Sequence, residues 1–197
     1  MNLPNKLTMI RIIMIPVFIA CFFLPESWVL FSLNGVDICL KYIIAGLVFL
    51  AAYVTDTLDG RIARKRGLVT DFGKLMDPTA DKLLSSAALI MLCKYEVMSF
   101  GNFLMPVFAF IIIARELFVS GIRQLAASKG IVIAAKPIGK AKTTLQFAAI
   151  LTTLLLGQLF RAIGVPVDFV AICACVILTI WSGIDYTLSS KDLFKQR

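Results

Sequence analysis

Six apolar runs, at 7–24, 36–54, 78–93, 103–119, 141–160 and 165–188, take up most of this 197-residue chain. A helix needs about 20 residues to cross a hydrocarbon core of ~30 Å. Runs of this length and number leave little chain for anything else, so the expected fold is an all-α membrane protein with six transmembrane helices. Composition agrees, with 59% hydrophobic and 16% charged residues, where soluble domains carry about a quarter charged. Residues 1–11 read as a short N-terminal juxtamembrane segment, with Pro4, Asn5 and Thr8 ahead of the first run. Phe22-Phe23-Leu24-Pro25 lacks the small-residue cleavage site of a secretory signal, so the first run is read as a span. No linker, repeat or low-complexity tract divides the sequence, and 1–197 reads as a single integral membrane domain.

An even number of spans puts both termini on one side of the membrane. Arg61, Arg64, Lys65, Arg66, Lys74, Arg123, Lys129, Lys136, Lys140 and Lys142 fall on that side with the terminal Lys and Arg residues, whereas the opposite loops hold Lys41, Lys94 and Arg161. The positive-inside rule therefore predicts that the termini and their adjoining loops face the cytoplasm. The net charge of +8 suits an anionic leaflet or a phosphate-bearing ligand. It does not suit a nucleic acid, because the positive charge is split among short loops. With no histidine in the chain, Ser-His-Asp triads, HExxH zinc sites and imidazole bases are excluded. The five cysteines lie in apolar surroundings without CxxC spacing and read as small hydrophobes.

Four carboxylates stand out against this background: Asp56, Asp59, Asp77 and Asp81, within 26 residues. Spacings of three and four place each pair on one helix face. The apolar part of the second run is too short to cross alone, so its helix is expected to continue through Asp56 and Asp59. The third helix is expected to start around 73–78 with Pro78 in its first turn, where its missing N–H is harmless. The two pairs then lie at one depth across a cytoplasmic turn. Four such carboxylates repel one another unless cations neutralise them, and an all-oxygen donor set suits Mg²⁺ or Mn²⁺. An ion-coupled transporter, the non-enzyme alternative, would spread carboxylates through several spans near the midplane. Here they cluster at one end of two consecutive spans amid Arg and Lys, which points to metal and phosphate chemistry.

The pattern Asp56-x2-Asp59-Gly60-x2-Ala63-Arg64-x8-Gly73-x3-Asp77-x3-Asp81 matches the signature of the CDP-alcohol phosphotransferases without departure. The chain resembles that family over its whole length. The resemblance implies the family's six-span fold in a bacterial cytoplasmic membrane, a homodimer, and an active site facing the cytoplasm. It implies two divalent metal ions, Mg²⁺ or Mn²⁺, and transfer of a phosphoalcohol group from a CDP-linked donor to an alcohol with release of CMP. Carried over position by position, Asp56, Asp59, Asp77 and Asp81 are metal ligands, and Asp81 is also the general base on the acceptor hydroxyl. Asn5, Thr8, Asp56, Gly60, Ala63, Arg64 and Gly73 are the implied CDP-binding positions.

The signature does not name the acceptor. Arg115 and Glu116 interrupt the fourth run, with Arg123 two turns on, and Lys136-Pro137-Ile138-Gly139-Lys140-Ala141-Lys142 is a basic stretch opening the fifth helix. A helix start favours anions. The candidate acceptor-phosphate residues are Arg115, Arg123, Lys136, Lys140 and Lys142. A structural Arg115–Glu116 pair and a generic basic loop touching lipid headgroups are the alternatives. Asn2-Leu3-Pro4-Asn5-x-Leu7-Thr8-x2-Arg11, Ala114-Arg115-Glu116 and Gly139-Lys140-x-Lys142-Thr143 resemble the bacterial branch that makes phosphatidylglycerophosphate. That resemblance implies CDP-diacylglycerol as donor and glycerol 3-phosphate as acceptor. Cardiolipin-forming members, which take phosphatidylglycerol, look similar here, and members with serine or inositol-phosphate acceptors are further alternatives.

Overall fold

The structure is a computed structural model. It describes the backbone of residues 3–66, 71–94, 102–131 and 137–189, and side chains at 9–55, 79–94, 103–131 and 137–189. The elements in chain order are α1 (Leu3–Cys21), β1 (Val29–Leu33), β2 (Val36–Cys39), α2 (Leu40–Arg66), α3 (Asp71–Lys94), a 3-10 turn (Asn102–Leu104), α4 (Met105–Ser128), α5 (Pro137–Ile163) and α6 (Val167–Ser189). Among the described residues α4, α5 and α6 are long and apolar enough to cross a membrane. Shorter apolar helical stretches run over Met9–Cys21 and Leu40–Thr55. Large apolar side chains such as Phe110, Phe118, Ile177 and Trp181 point outward, as they do where the solvent is lipid. The chain is a predominantly helical membrane protein.

Several helix ends shift by a few residues from the apolar runs, α4 reaching Ser128 where its run stops at 119, and two boundaries differ in kind. The second apolar run does not begin as helix at 36: Val36–Cys39 pairs antiparallel with Val29–Leu33 in a small hairpin. Its turn is Asn34-Gly35, with φ of 50° and 79°. Both residues are left-handed, the conformation an Asn-Gly hairpin turn adopts most readily. The hairpin is tied down by Asn34 Nδ2 donating to the Ala162 carbonyl at 3.0 Å and by the Cys39 N–H donating to Gln158 Oε1 at 2.7 Å. The other difference is α3, which starts at Asp71 and carries Pro78 in its interior. Lys74, Leu75 and Met76 ahead of it are good helix formers, which outweighs the reluctance of a residue before proline to be helical.

The six helices close into a ring. α1 packs on α2 and α3, α3 on α4, α4 on α6, α6 on α5, and α5 back on α2. Among the described residues α2 and α3, though consecutive, touch each other little, and α1 packs on both. The shared core includes Phe18, Phe22, Tyr42, Phe49, Leu89, Ile112, Ile150 and Ile172. Phe18 meets Phe22 edge-on at 5.3 Å between ring centres, and Phe147 of α5 stacks on Phe49 of α2 at 5.3 Å. In lipid the apolar surface itself gives no drive to associate, so close packing and satisfied polar groups hold such helices together. Thr153 and Thr179 satisfy their buried hydroxyls by donating to the Ala149 and Cys175 carbonyls of their own helices at 2.8 and 2.7 Å, which leaves no polar atom of theirs stranded at the seams.

The α2–α5 seam depends on Gly46. A Cβ there would lie 2.5 Å from Leu155 Cδ2 and 3.3 Å from Leu154 Cβ. Gly121 on α4 has nothing within 4 Å of the same position. Gly46→Val should therefore lower thermal stability in detergent, by about 1–3 kcal/mol for overpacking. Gly121→Ala should leave stability unchanged or raise it by up to about 1 kcal/mol through helix propensity. Melting curves of the two variants beside the parent check both signs, and equal behaviour would contradict the packing described.

Candidate active site

A cavity of about 720 Å³ opens inside the ring at one end. Its walls are the C-terminal parts of α2, α4 and α6 and the N-terminal parts of α3 and α5, the end remote from the hairpin. α2 contributes Phe49 and Tyr53, α3 Asp81, Lys82 and Ser85, and α4 Arg115, Glu116, Ser120 and Arg123. α5 adds Lys140, Thr143 and Thr144 from its opening turns, and α6 adds Asp185 and Tyr186. Pro137 starts α5 at the position where its fixed φ suits a helix start. The backbone N–H groups of that first turn, around Gly139 and Lys140, lie at the cavity and favour an anion there.

On α4 the helical repeat brings Glu116, Ser120 and Arg123 to one face. Ser120 Oγ donates to the Glu116 carbonyl at 2.6 Å and accepts from Lys82 Nζ of α3. Arg123 Nε donates to Tyr186 Oη at 2.7 Å, and its guanidinium lies 5.3 Å from the Tyr186 ring centre. That contact orients the fork by a hydrogen bond and a cation–π interaction together. The stem of Arg115 runs past Gly183 of α6, where a Cβ would come within 3.3 Å of Arg115 Cγ. Arg115 Nε is buried with no hydrogen-bond partner among the described residues.

Lys142 is placed differently from Lys140. It is fully buried, and its Nζ donates to Glu116 Oε1 at 2.6 Å and to Gln146 Oε1. Glu116 is thus the ion-pair partner of Lys142, where the sequence had offered it to Arg115. With Glu116 so paired, the cavity wall carries Lys82, Arg115, Arg123 and Lys140 against Asp81 and Asp185. The excess of cations suits a phosphate-bearing ligand.

Of the four signature carboxylates, Asp81 lines the cavity. The side chains of Asp56, Asp59 and Asp77 lie outside the described residues, as do those of Asn5, Thr8, Gly60, Ala63, Arg64 and Gly73; Lys136 lies outside them altogether. The backbone does place these positions along their helices. Asp56 and Asp59 precede the end of α2 by about 15 and 10 Å of helical rise, and Asp81 and Asp77 follow the start of α3 by about 15 and 9 Å. The helix through Asp56 and Asp59 is continuous with the apolar part of α2, as the short run at 42–54 demanded.

Several cavity residues went unnoticed in the sequence. Lys82 and Ser120 were legible in principle, because each stands one turn from a residue already singled out, Pro78 and Glu116. Tyr186, Asp185 and Gly183 carry no local signal, since they reach the cavity only through the α4–α6 contact.

Comparison with known proteins agrees with the sequence pattern. A family profile described as CDP-alcohol phosphatidyltransferase matches residues 1–181. A Bacillus subtilis protein named CDP-diacylglycerol–glycerol-3-phosphate 3-phosphatidyltransferase is 39% identical over 98% of this chain and 97% of its own length. Proteins of the same name from Sodalis glossinidius and Escherichia coli K12 are 34% and 33% identical, each over 99% of this chain and 98% of their own. With the signature unbroken from Asp56 to Asp81 and the profile spanning nearly all of its length, the chain belongs to the CDP-alcohol phosphatidyltransferase family.

Proposed function

We propose that this protein transfers the phosphatidyl group of CDP-diacylglycerol to glycerol 3-phosphate, giving phosphatidylglycerophosphate and CMP. The observation that carries the acceptor assignment is the cavity itself: a carboxylate, Asp81, shares one chamber with Arg115, Arg123 and Lys140. A small acceptor with a hydroxyl at one end and a phosphate at the other fits that division of charge. The three relatives named above bear the name of this reaction over nearly their full length.

Asp56, Asp59, Asp77 and Asp81 would hold two divalent cations of Mg²⁺ or Mn²⁺ type. The donor set is entirely carboxylate oxygen, as such hard cations prefer, and the matching helical rises from the ends of α2 and α3 suit a shared site. When bound, the cations supply charge neutralisation for the pyrophosphate and for the departing CMP. The acceptor hydroxyl oxygen attacks the β-phosphorus of the donor, the bond to CMP breaks, and the hydroxyl proton passes to Asp81. Asp81 is a suitable base because the chain has no imidazole to compete for the role. Arg115 and Arg123 clamp the acceptor phosphate with planar donors, and Lys140 adds a third cation at the start of α5. Gly60 and Ala63 leave room for the nucleotide along α2, and Arg64 offers it a phosphate donor.

Six membrane crossings, with both termini and the cavity on the cytoplasmic side, accord with this chemistry, since CDP-linked donors carry a water-soluble nucleotide. The support is the charge distribution. Arg123, Lys129 and Lys140 lie at the cavity end, and Lys41, Lys94 and Arg161 lie near the hairpin end.

Three outcomes are expected of the full chain purified in detergent. With CDP-diacylglycerol and Mg²⁺ or Mn²⁺, CMP should appear when glycerol 3-phosphate is added and not with serine, inositol phosphate or phosphatidylglycerol. Equal release with any of these would overturn the acceptor. EDTA should stop CMP release and excess Mg²⁺ or Mn²⁺ should restore it; activity that survives thorough chelation argues against the metal assignment. Asp81→Asn should lower kcat by about 10²–10⁴ while the melting temperature stays at or above that of the parent. Turnover within tenfold of the parent would remove Asp81 from the base role.

A further inference from the structure

We propose that Glu116 is a specificity residue that accepts a hydrogen bond from the middle hydroxyl of the acceptor, and that Lys142 is the positioning residue that holds it for that contact. The inference rests on the reading of the acceptor as glycerol 3-phosphate and adds to it a residue that tests the polyol chain between hydroxyl and phosphate.

The starting observation is an imbalance within one side chain. Glu116 Oε1 takes the Lys142 ammonium at 2.6 Å, while Glu116 Oε2 is buried and has no hydrogen-bond partner among the described residues. A buried carboxylate oxygen without a donor is unfavourable. The buried hydroxyls of Thr153, Thr179 and Ser182, by contrast, each donate to a carbonyl of their own helix. Glu116 is also a wall residue of the cavity, and its neighbour Arg115 presents a buried Nε that likewise lacks a partner among the described residues. One residue lacks a donor and the next lacks an acceptor. A hydroxyl is both at once.

A carboxylate oxygen excludes a phosphate from direct contact with itself, so what completes Glu116 has to be a donor. Glycerol 3-phosphate carries its second free hydroxyl between the nucleophilic end, which belongs with Asp81, and the phosphate, which belongs with Arg115 and Arg123. Lys142 fixes the geometry. It is fully buried, and its contacts to Glu116 and Gln146 leave the carboxylate one orientation, with Oε1 turned to α5. A site built to pair a substrate hydroxyl rejects the analogue that lacks it, because its own polar group is then left unpaired.

The test compares two acceptors in CMP release: glycerol 3-phosphate and 3-hydroxypropyl phosphate, which is the same molecule without the middle hydroxyl. For the parent protein kcat/KM should favour glycerol 3-phosphate by about ten- to a hundredfold. In Glu116→Ala/Lys142→Met, which removes both halves of the ion pair rather than stranding a buried ammonium, the ratio should collapse toward one. Glu116→Gln, which keeps a hydrogen-bonding group at the same reach, should retain part of it. A merely structural pair would lower both acceptors alike and leave the ratio where it was, and that result overturns the proposal. A parent ratio near one overturns it too, and decides the matter even where the double variant does not fold, while leaving the function proposed above intact. Absence of CMP with both acceptors would overturn that function and this inference together.

Discussion

A charge inside a lipid-embedded bundle has to be met by another, and the pair of Lys142 and Glu116 shows how much of this structure follows from that requirement. The two residues join α5 to α4, which otherwise meet across α6. An ion pair in such a place adds little net stability, because desolvation offsets most of the attraction. Its contribution is to registry: removing one partner leaves the other stranded, so α4 and α5 are fixed against each other at the turns that line the cavity. Lys82 with Ser120 and Arg123 with Tyr186 do the same for α3 with α4 and α4 with α6. These three cross-links lie at the cavity end of the ring, and they place the site's cations.

The ring explains why a cavity exists at all. Neighbours in sequence are not always neighbours in space: α1 packs on both α2 and α3, which touch each other little among the described residues, and α6 connects α4 to α5. α3 brings Asp81 and Lys82 to the cavity, and α4 and α5 bring Arg115, Arg123 and Lys140. With Glu116 taken up by Lys142, cations outnumber carboxylates among the described wall residues, which is the polarity a phosphorylated acceptor requires.

Much of this was legible in the sequence because the signals are local. Helix positions follow from apolar runs, and the carboxylates announce themselves by helical spacing at the end of an apolar run too short to cross alone. Arg115, Arg123 and Lys140 stood out as charges set in or beside spans, and all three reach the cavity. Lys142 shows the limit of that logic. Two residues from Lys140 on the same helix, it points inward to Glu116, and only the angle between α4 and α5 decides that. Tyr186 and Gly183 were illegible for the same reason, being ordinary members of an apolar run until α4 is laid against them. The hairpin was missed although Asn34-Gly35 is a strong turn signal, because strands of four and five residues beside long spans have too little periodicity to compete with the helical reading.

The hairpin has a mechanical side as well. Asn34 and Cys39 clasp the far end of α5 through Ala162 and Gln158, while Lys41 holds Glu26 at 2.7 Å across the base of the same structure. That bond, with the ammonium's charge, holds the Glu26 carboxyl below its usual pKa. α5 runs from this clasp to the cavity over 27 residues, a length of about 40 Å. With Lys142 bound to Glu116 near its other end, the helix is held at both ends, so the position of its cavity-lining turns depends on a hairpin that itself touches no ligand.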